Sequence, residues 1–213
     1  MLMSKSAQKG IVDPKIIIGG IIVLIVVFFL ATGNFKFSAS VKNPDKSAPS
    51  VTQETTPAPT SKPKTYQNKK NNISLEYPDS WTLKENPAAG YIAGFYSPRE
   101  SANDTYSENL GVKAVDTSTQ PKITLQEVAD AWENQTKKTE STFAIVDRKS
   151  STIAGEDARD IVYTFTEEGN SEKGITRITL KNEKAYIFQY SALEKTYDKY
   201  LPDIEAILTS VKL

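Results

Sequence analysis

The sequence predicts an α+β domain, an antiparallel β-sheet flanked by helices, preceded by one transmembrane helix and a disordered linker. Three observations predict it. Short runs between residues 73 and 190 alternate apolar with polar residues and are rich in β-branched and aromatic side chains, the pattern of half-buried strands. Two segments, near 125–132 and 197–211, space their apolar residues with the helical period instead. Residues 16–32, IIIGGIIVLIVVFFLAT, form an uncharged apolar run of 17 residues beside a polar remainder.

The apolar run comes first in the chain. Asp13 is placed to cap a helix there, and Pro14 suits its first turn. Lys15 can snorkel at one end, and Phe35 and Phe37 can sit in the interface at the other. Lys5, Lys9 and Lys15 stand before the run against only Asp13, which favours the N-terminus inside. The expectation is a single-pass cell-membrane protein whose C-terminal domain is extracytoplasmic. The alternative is a cleaved signal peptide, with Ala31 and Gly33 as the small residues of the cleavage site and a secreted domain beyond. The long apolar run favours a retained anchor. No Cys follows it, so a lipoprotein anchor is excluded.

Residues 34–72 hold five prolines and ten Ser or Thr, with almost no large apolar side chain. Such a stretch cannot bury enough surface to offset chain entropy, so it reads as a Pro-stiffened disordered linker. A spacer is preferred to a glycosylated stalk or a polyproline ligand. The folded domain is then placed at 73–213.

Within it, Ile73, Leu75 and Tyr77 share one strand face, and 91–97 is a second run. Leu110, Val112 and Ala114 mark a third strand, and Phe143 and Ile145 begin a fourth that reaches Ile153. Ile161, Tyr163 and Phe165 mark the fifth, Ile178 and Leu180 the sixth, and Tyr186, Phe188 and Tyr190 the seventh. Turns at Ala154-Gly155-Glu156, Glu168-Gly169-Asn170 and Asn182-Glu183 join consecutive strands as hairpins, so the sheet is antiparallel. Leu125, Val128 and Trp132 lie on one helix face, opened by the capping box Thr124-x-x-Glu127. Tyr197, Tyr200, Leu201, Ile204, Leu208 and Val211 form a second stripe, in which Pro202 predicts a short turn before the main helix. Both stripes need the sheet to cover them. The Tyr and Trp residues are read as core.

The chain has neither Cys nor His. That excludes a disulfide framework, thiolate nucleophiles, Ser-His-Asp triads and zincin sites. Glu156, Asp157 and Asp160, and the pair Glu167 and Glu168, lie at predicted hairpin ends, where solvated carboxylates are expected rather than an acid/base pair. The loop 98–109 offers Glu100, Asn103, Asp104, Glu108 and Asn109 as oxygen ligands for a cation such as Ca²⁺, without an EF-hand pattern. N-x-S/T sequons at Asn72, Asn103 and Asn134 are possible N-glycosylation sites. Ser6-x-x-Lys9 and Ser61-x-x-Lys64 match a Ser-Lys spacing but fall in segments expected to be disordered. No catalytic residue, resident metal or cofactor is expected. The formal net charge is zero, yet residues 73–213 carry −7, which argues against nucleic acid as a partner.

The domain opens ISLEYPDSWTL, so that Tyr77-Pro78 is followed by Trp81. GFYSPRE (94–100), LGVKAVD (110–116), ITLQEVADAW (123–132), GEDARDIVYTF (155–165), GITRITLKNEKAYIFQYSA (174–192) and IEAILTSVKL (204–213) follow in order. This succession resembles the PsbP family, which includes the extrinsic photosystem II protein and its non-photosynthetic relatives. The resemblance implies a PsbP-like α/β/α sandwich over 73–213 that ends in a helix and a short strand. It also implies a binding and stabilising subunit outside the membrane, not an enzyme. The anchor and linker differ from the leaders of photosynthetic members, and the histidines some relatives use for metal contacts have no counterpart. The functional expectation is a non-enzymatic module for a protein partner at the extracytoplasmic face, the alternative a small-solute or Ca²⁺-binding domain.

Overall fold

The computed structural model describes residues 62–213 except 89, 102, 103, 105 and 168. The expected anchor at 16–32 lies outside the described residues, as do Asn103, Glu168 and the linker up to residue 61. Among the described residues no helix is long and apolar enough to cross a membrane.

Eleven elements follow in chain order: β1 (Lys64–Asn68), β2 (Ile73–Tyr77), β3 (Thr82–Glu85), β4 (Ala93–Tyr96), β5 (Asn109–Asp116), α1 (Leu125–Thr139), β6 (Ala144–Ile153), β7 (Glu156–Glu167), β8 (Asn170–Lys181), β9 (Lys184–Leu193) and α2 (Tyr197–Thr209). Seven strands form one sheet in the order β3-β4-β5-β9-β8-β7-β6, and every pairing is antiparallel. The strands β1 and β2 form a separate hairpin.

The alternation along β9 shows how the layers divide. Tyr186, Phe188, Tyr190 and Ala192 point to one face, where they meet the β1–β2 hairpin and α2 through Leu75, Tyr77, Ile204 and Leu208. Ala185 and Ile187 point to the other face, where Ile161, Tyr163 and Ile178 join them beneath Val128, Ala129 and Trp132 of α1. Each large side chain buried in this way contributes about 1.5–3 kcal/mol relative to exposure. The helix α1 starts as its sequence requires: Thr124 Oγ1 accepts from the Glu127 N–H, and the Glu127 carboxylate accepts from the Thr124 N–H.

Three features differ from the sequence reading. The fold begins inside the segment read as linker, because β1 pairs with β2 from Lys64 opposite Tyr77 to Asn68 opposite Ile73. Only Tyr66 of β1 is buried, so the strand shows no alternation to read. The strand β3 was not expected either; it is four residues at the sheet's edge, with only Leu83 partly covered. Finally, α2 is continuous through Pro202. The proline removes one bond, to the Asp198 carbonyl, while Tyr197 and Tyr200 before it and Ile204 and Leu208 after it are buried together. The short closing strand is a single bridge, Lys212 to Ser74.

Candidate functional site

The helix α1 is 15 residues long and seals only part of its face of the sheet. Where its contacts with Ile161, Ile178 and Ile187 end, the same face turns polar: Gln189 and Ser191 on β9, Asn109 on β5 and Glu172 on β8. There the face opens into a cleft of about 860 Å³. The C-terminal half of α1, through Trp132, Thr136 and Thr139, makes one wall. Tyr91, Tyr96, Tyr106 and Ser107 make the opposite wall.

Two glycines bring tyrosine rings onto the floor. At Gly174 a Cβ would lie 2.5 Å from the Tyr163 hydroxyl and 2.7 Å from the Tyr190 carbonyl oxygen. At Gly111 it would clash with the edge of the Tyr91 ring, at Cε1 and Cδ1. Tyr91 Oη then donates to Gln189 Oε1 at 3.2 Å, and Gln189 Nε2 donates to Tyr163 Oη at 3.4 Å. Trp132, Phe143 and Phe165 surround Tyr163 with ring centroids 5.2–6.0 Å away, the spacing of favourable aromatic pairs. Burial pushes the Tyr163 and Tyr91 phenols well above their ordinary range.

Two ionisable groups beside this floor are almost wholly buried. Glu172 is 3 % exposed, and its Oε2 accepts from Tyr106 Oη at 2.7 Å. Burial pushes its carboxyl up to about 7; the Tyr106 hydrogen bond opposes the shift, and the charges of Glu167 and Glu140 add to it. Lys113 is also 3 % exposed; its Nζ has no hydrogen-bond partner and sits 4.3 Å from the Tyr91 ring centroid. Burial lowers its ammonium to about 7.

The loop carboxylates named from the sequence are tied into the protein. Asp104 accepts the N–H groups of Glu100 and Tyr106 at 2.9 and 3.1 Å. Glu100 takes Lys199 at 2.7 Å and the Tyr200 hydroxyl at 3.1 Å. Glu108 is buried and accepts from Ser97 Oγ and Thr196 Oγ1 at 2.7 and 2.6 Å. Asn109 is the first residue of β5. Among the described residues no group of three or more His, Cys, Asp or Glu is placed to hold a metal ion. Asn72, in the β1–β2 turn, and Asn134, on α1, are exposed.

The carboxylates at hairpin ends separate. Glu156 pairs with Lys181 at 3.1 Å, and Glu167 lines the cleft. Asp160 corrects the expectation of a solvated charge: it is fully buried on the α2 face, held by Arg177 Nε and Nη2 at 2.7 and 2.8 Å and by Ser151 Oγ at 2.6 Å. Arg177 reaches on to Glu205 of α2 at 3.1 Å, so this network joins three strands to a helix away from the cleft. Sequence reasoning missed Tyr91, Tyr106, Lys113, Glu172 and Gln189. The local signal was one charged residue, Lys113, in the otherwise well-patterned run LGVKAVD (110–116).

A family model described as PsbP-like protein matches residues 16–213. The fold is similar to the solution structure of cyanobacterial PsbP (CyanoP) from Synechocystis. The TM-score is 0.54 at 16% identity, covering 71% of this chain and 92% of that one. It is also similar to LpqN of Mycobacterium tuberculosis, a protein involved in cell envelope biogenesis. There the TM-score is 0.51 at 15% identity, covering 66% of this chain and 82% of that one. At such identities the likeness is one of fold. Comparison with curated proteins gives no match.

Proposed function

This chain belongs to the PsbP-like protein family, and from that premise we propose that it is a membrane-anchored, extracytoplasmic, non-enzymatic binding module that holds a protein partner and stabilises an assembly at the outer face of the membrane. The observation that carries this reading is the cleft of about 860 Å³ beside α1, walled by aromatic rings and floored by hydroxyl, amide and carboxyl groups. Such a mixture gives area for binding and a few polar groups for specificity. The apolar run 16–32, which the family match includes, supports the anchor. The linker supports reach from the bilayer, and the charge of −7 on residues 73–213 disfavours lying flat on anionic lipid. The absence of His and Cys leaves the domain few groups for catalysis and many for recognition.

Crosslinking in intact membranes followed by pull-down tests the reading. The expected result is a partner crosslinked at the cleft, with recovery reduced by Thr136→Trp, which fills the groove. Recovery that ignores this variant, or turnover of a substrate by the purified chain, overturns it. A second reading, binding of a small solute, is favoured by one observation: the cleft's volume falls within the range of small-molecule sites. Calorimetry with Ca²⁺ tests the cation form of that reading, for which Asp104→Ala must abolish binding.

A further inference from the structure

We infer that the cleft receives a basic side chain, an arginine or lysine carried on a peptide segment of the partner protein. This rests on the cleft being the binding site. Six carboxylate residues line it, of which Glu100 is paired with Lys199, and the lining includes one lysine, Lys195. Three of them gather where α1 ends: Glu140 caps the helix, Glu167 ends β7, and Glu172 lies near the start of β8. They share one electrostatic field, since the charges of Glu167 and Glu140 both make the Glu172 proton harder to remove. Phe143 and Phe165, each half-buried, line the same end of the cleft.

The hydrogen-bonding inventory points the same way. Thr136 Oγ1 donates to the Trp132 carbonyl at 2.9 Å, and Thr139 Oγ1 donates to the Thr136 carbonyl at 3.1 Å. The protons of these wall hydroxyls are therefore already committed, and what they offer a ligand is acceptor oxygen. A guanidinium or ammonium group complements these acceptors: it brings several donors, positive charge, and a face or stem that packs on aromatic rings. An acidic occupant would bring like charge against these carboxylates, at a cost in affinity. A partner chain is the source that fits the cleft's extent, because the carboxylate end takes the basic side chain while the Tyr91–Tyr106 side holds the flanking residues. The net charge of −4 on the folded residues 64–213 favours the approach of such a partner.

The test uses the full-length chain in non-ionic detergent and three pools of labelled pentapeptides. The pools share randomised flanks and differ only in a central Arg, Gln or Glu, and binding is read by fluorescence anisotropy. The Arg pool is expected to bind about tenfold more tightly than the Gln pool, and the Glu pool most weakly. That preference should fall severalfold in Glu140→Gln/Glu167→Gln and with added salt. Binding should be lost in Thr136→Trp, with circular dichroism confirming that each variant is folded. Free arginine methyl ester competing as well as the peptides would assign the site to a small cation and overturn the peptide commitment. Equal binding of the Gln pool, still abolished by Thr136→Trp, would overturn the cationic inference and leave the cleft as the binding site. An Arg preference that survives both variants, or no pool bound up to about 1 mM, would overturn both.

Discussion

Replacing Glu172 with Gln removes a carboxyl that the fold keeps from water without neutralising it by a cation. The side chain is 3 % exposed. Burial, with added repulsion from Glu167 and Glu140, moves it from 4.5 to about 7 against the pull of the Tyr106 hydrogen bond. The folded chain therefore holds this proton more tightly than the unfolded chain does. As pH rises from 4.5 towards 7 the unfolded state loses its proton first, and stability falls; above 7 the loss is complete. At about 1.4 kcal/mol per pH unit the full loss is about 3 kcal/mol. Gln keeps the volume and an acceptor for Tyr106 but does not ionise. The variant should match the parent chain near pH 4.5 and exceed it by about 3 kcal/mol at pH 8, or about 6–12 °C in Tm for a domain of this size. Urea denaturation from pH 4.5 to 8.5, followed by circular dichroism, measures the gap directly. A gap independent of pH, or a less stable variant at pH 8, would refute the reasoning.

The other buried charge has the opposite sign. Burial lowers Lys113 from 10.5 to about 7, so its cost is full below pH 7 and fades as pH rises towards 10.5; Lys113→Met should therefore stabilise most at or below pH 7, as read by denaturant midpoints. Gly174→Ala places a methyl 2.5 Å from the Tyr163 hydroxyl and 2.7 Å from a backbone oxygen that cannot yield; thermal melts should show a loss of about 1–3 kcal/mol, with Tyr163 displaced from the cleft floor. Asp160→Ala removes the buried partner of Arg177 and leaves it the half-exposed Glu205 of α2; a loss of about 3–5 kcal/mol in denaturant melts is expected, and a change below 1 kcal/mol would show the pair to be dispensable.

Local patterns made most of the scaffold legible. Ile73, Leu75 and Tyr77 alternate because β2 buries one face deeply, and Tyr186, Phe188 and Tyr190 share the face of β9 that meets α2 and the hairpin; those strands are where the alternation placed them. Thr124 and Glu127 announced the start of α1 because a capping box is a contact between near neighbours. The strands β1 and β3 escaped notice because each buries too little for its pattern to stand out: Tyr66 alone in one, Leu83 partly in the other. Pro202 misled because a single lost hydrogen bond is outweighed by four buried side chains on the same stripe.

By itself the sequence determined the class of the domain, its family resemblance and the division of charge. The neutral total conceals a basic N-terminal region joined to an acidic one, −7 over residues 73–213 and −4 over the folded residues 64–213. It also removed His and Cys from any mechanism. Only the tertiary structure decided which carboxylates are buried, which are paired and which face a cleft. Asp160 and Glu172 look alike in the sequence, each an acid on a strand beside a basic residue, Arg159 or Lys173. Asp160 meets Arg177 in the layer beneath α2, whereas Glu172 meets a tyrosine hydroxyl and two further acids in the gap that α1 leaves open. Periodicity is a property of neighbours along the chain and can be read from them. The environment of a charge is set by what folds over it from many residues away, and here that is the length of one helix.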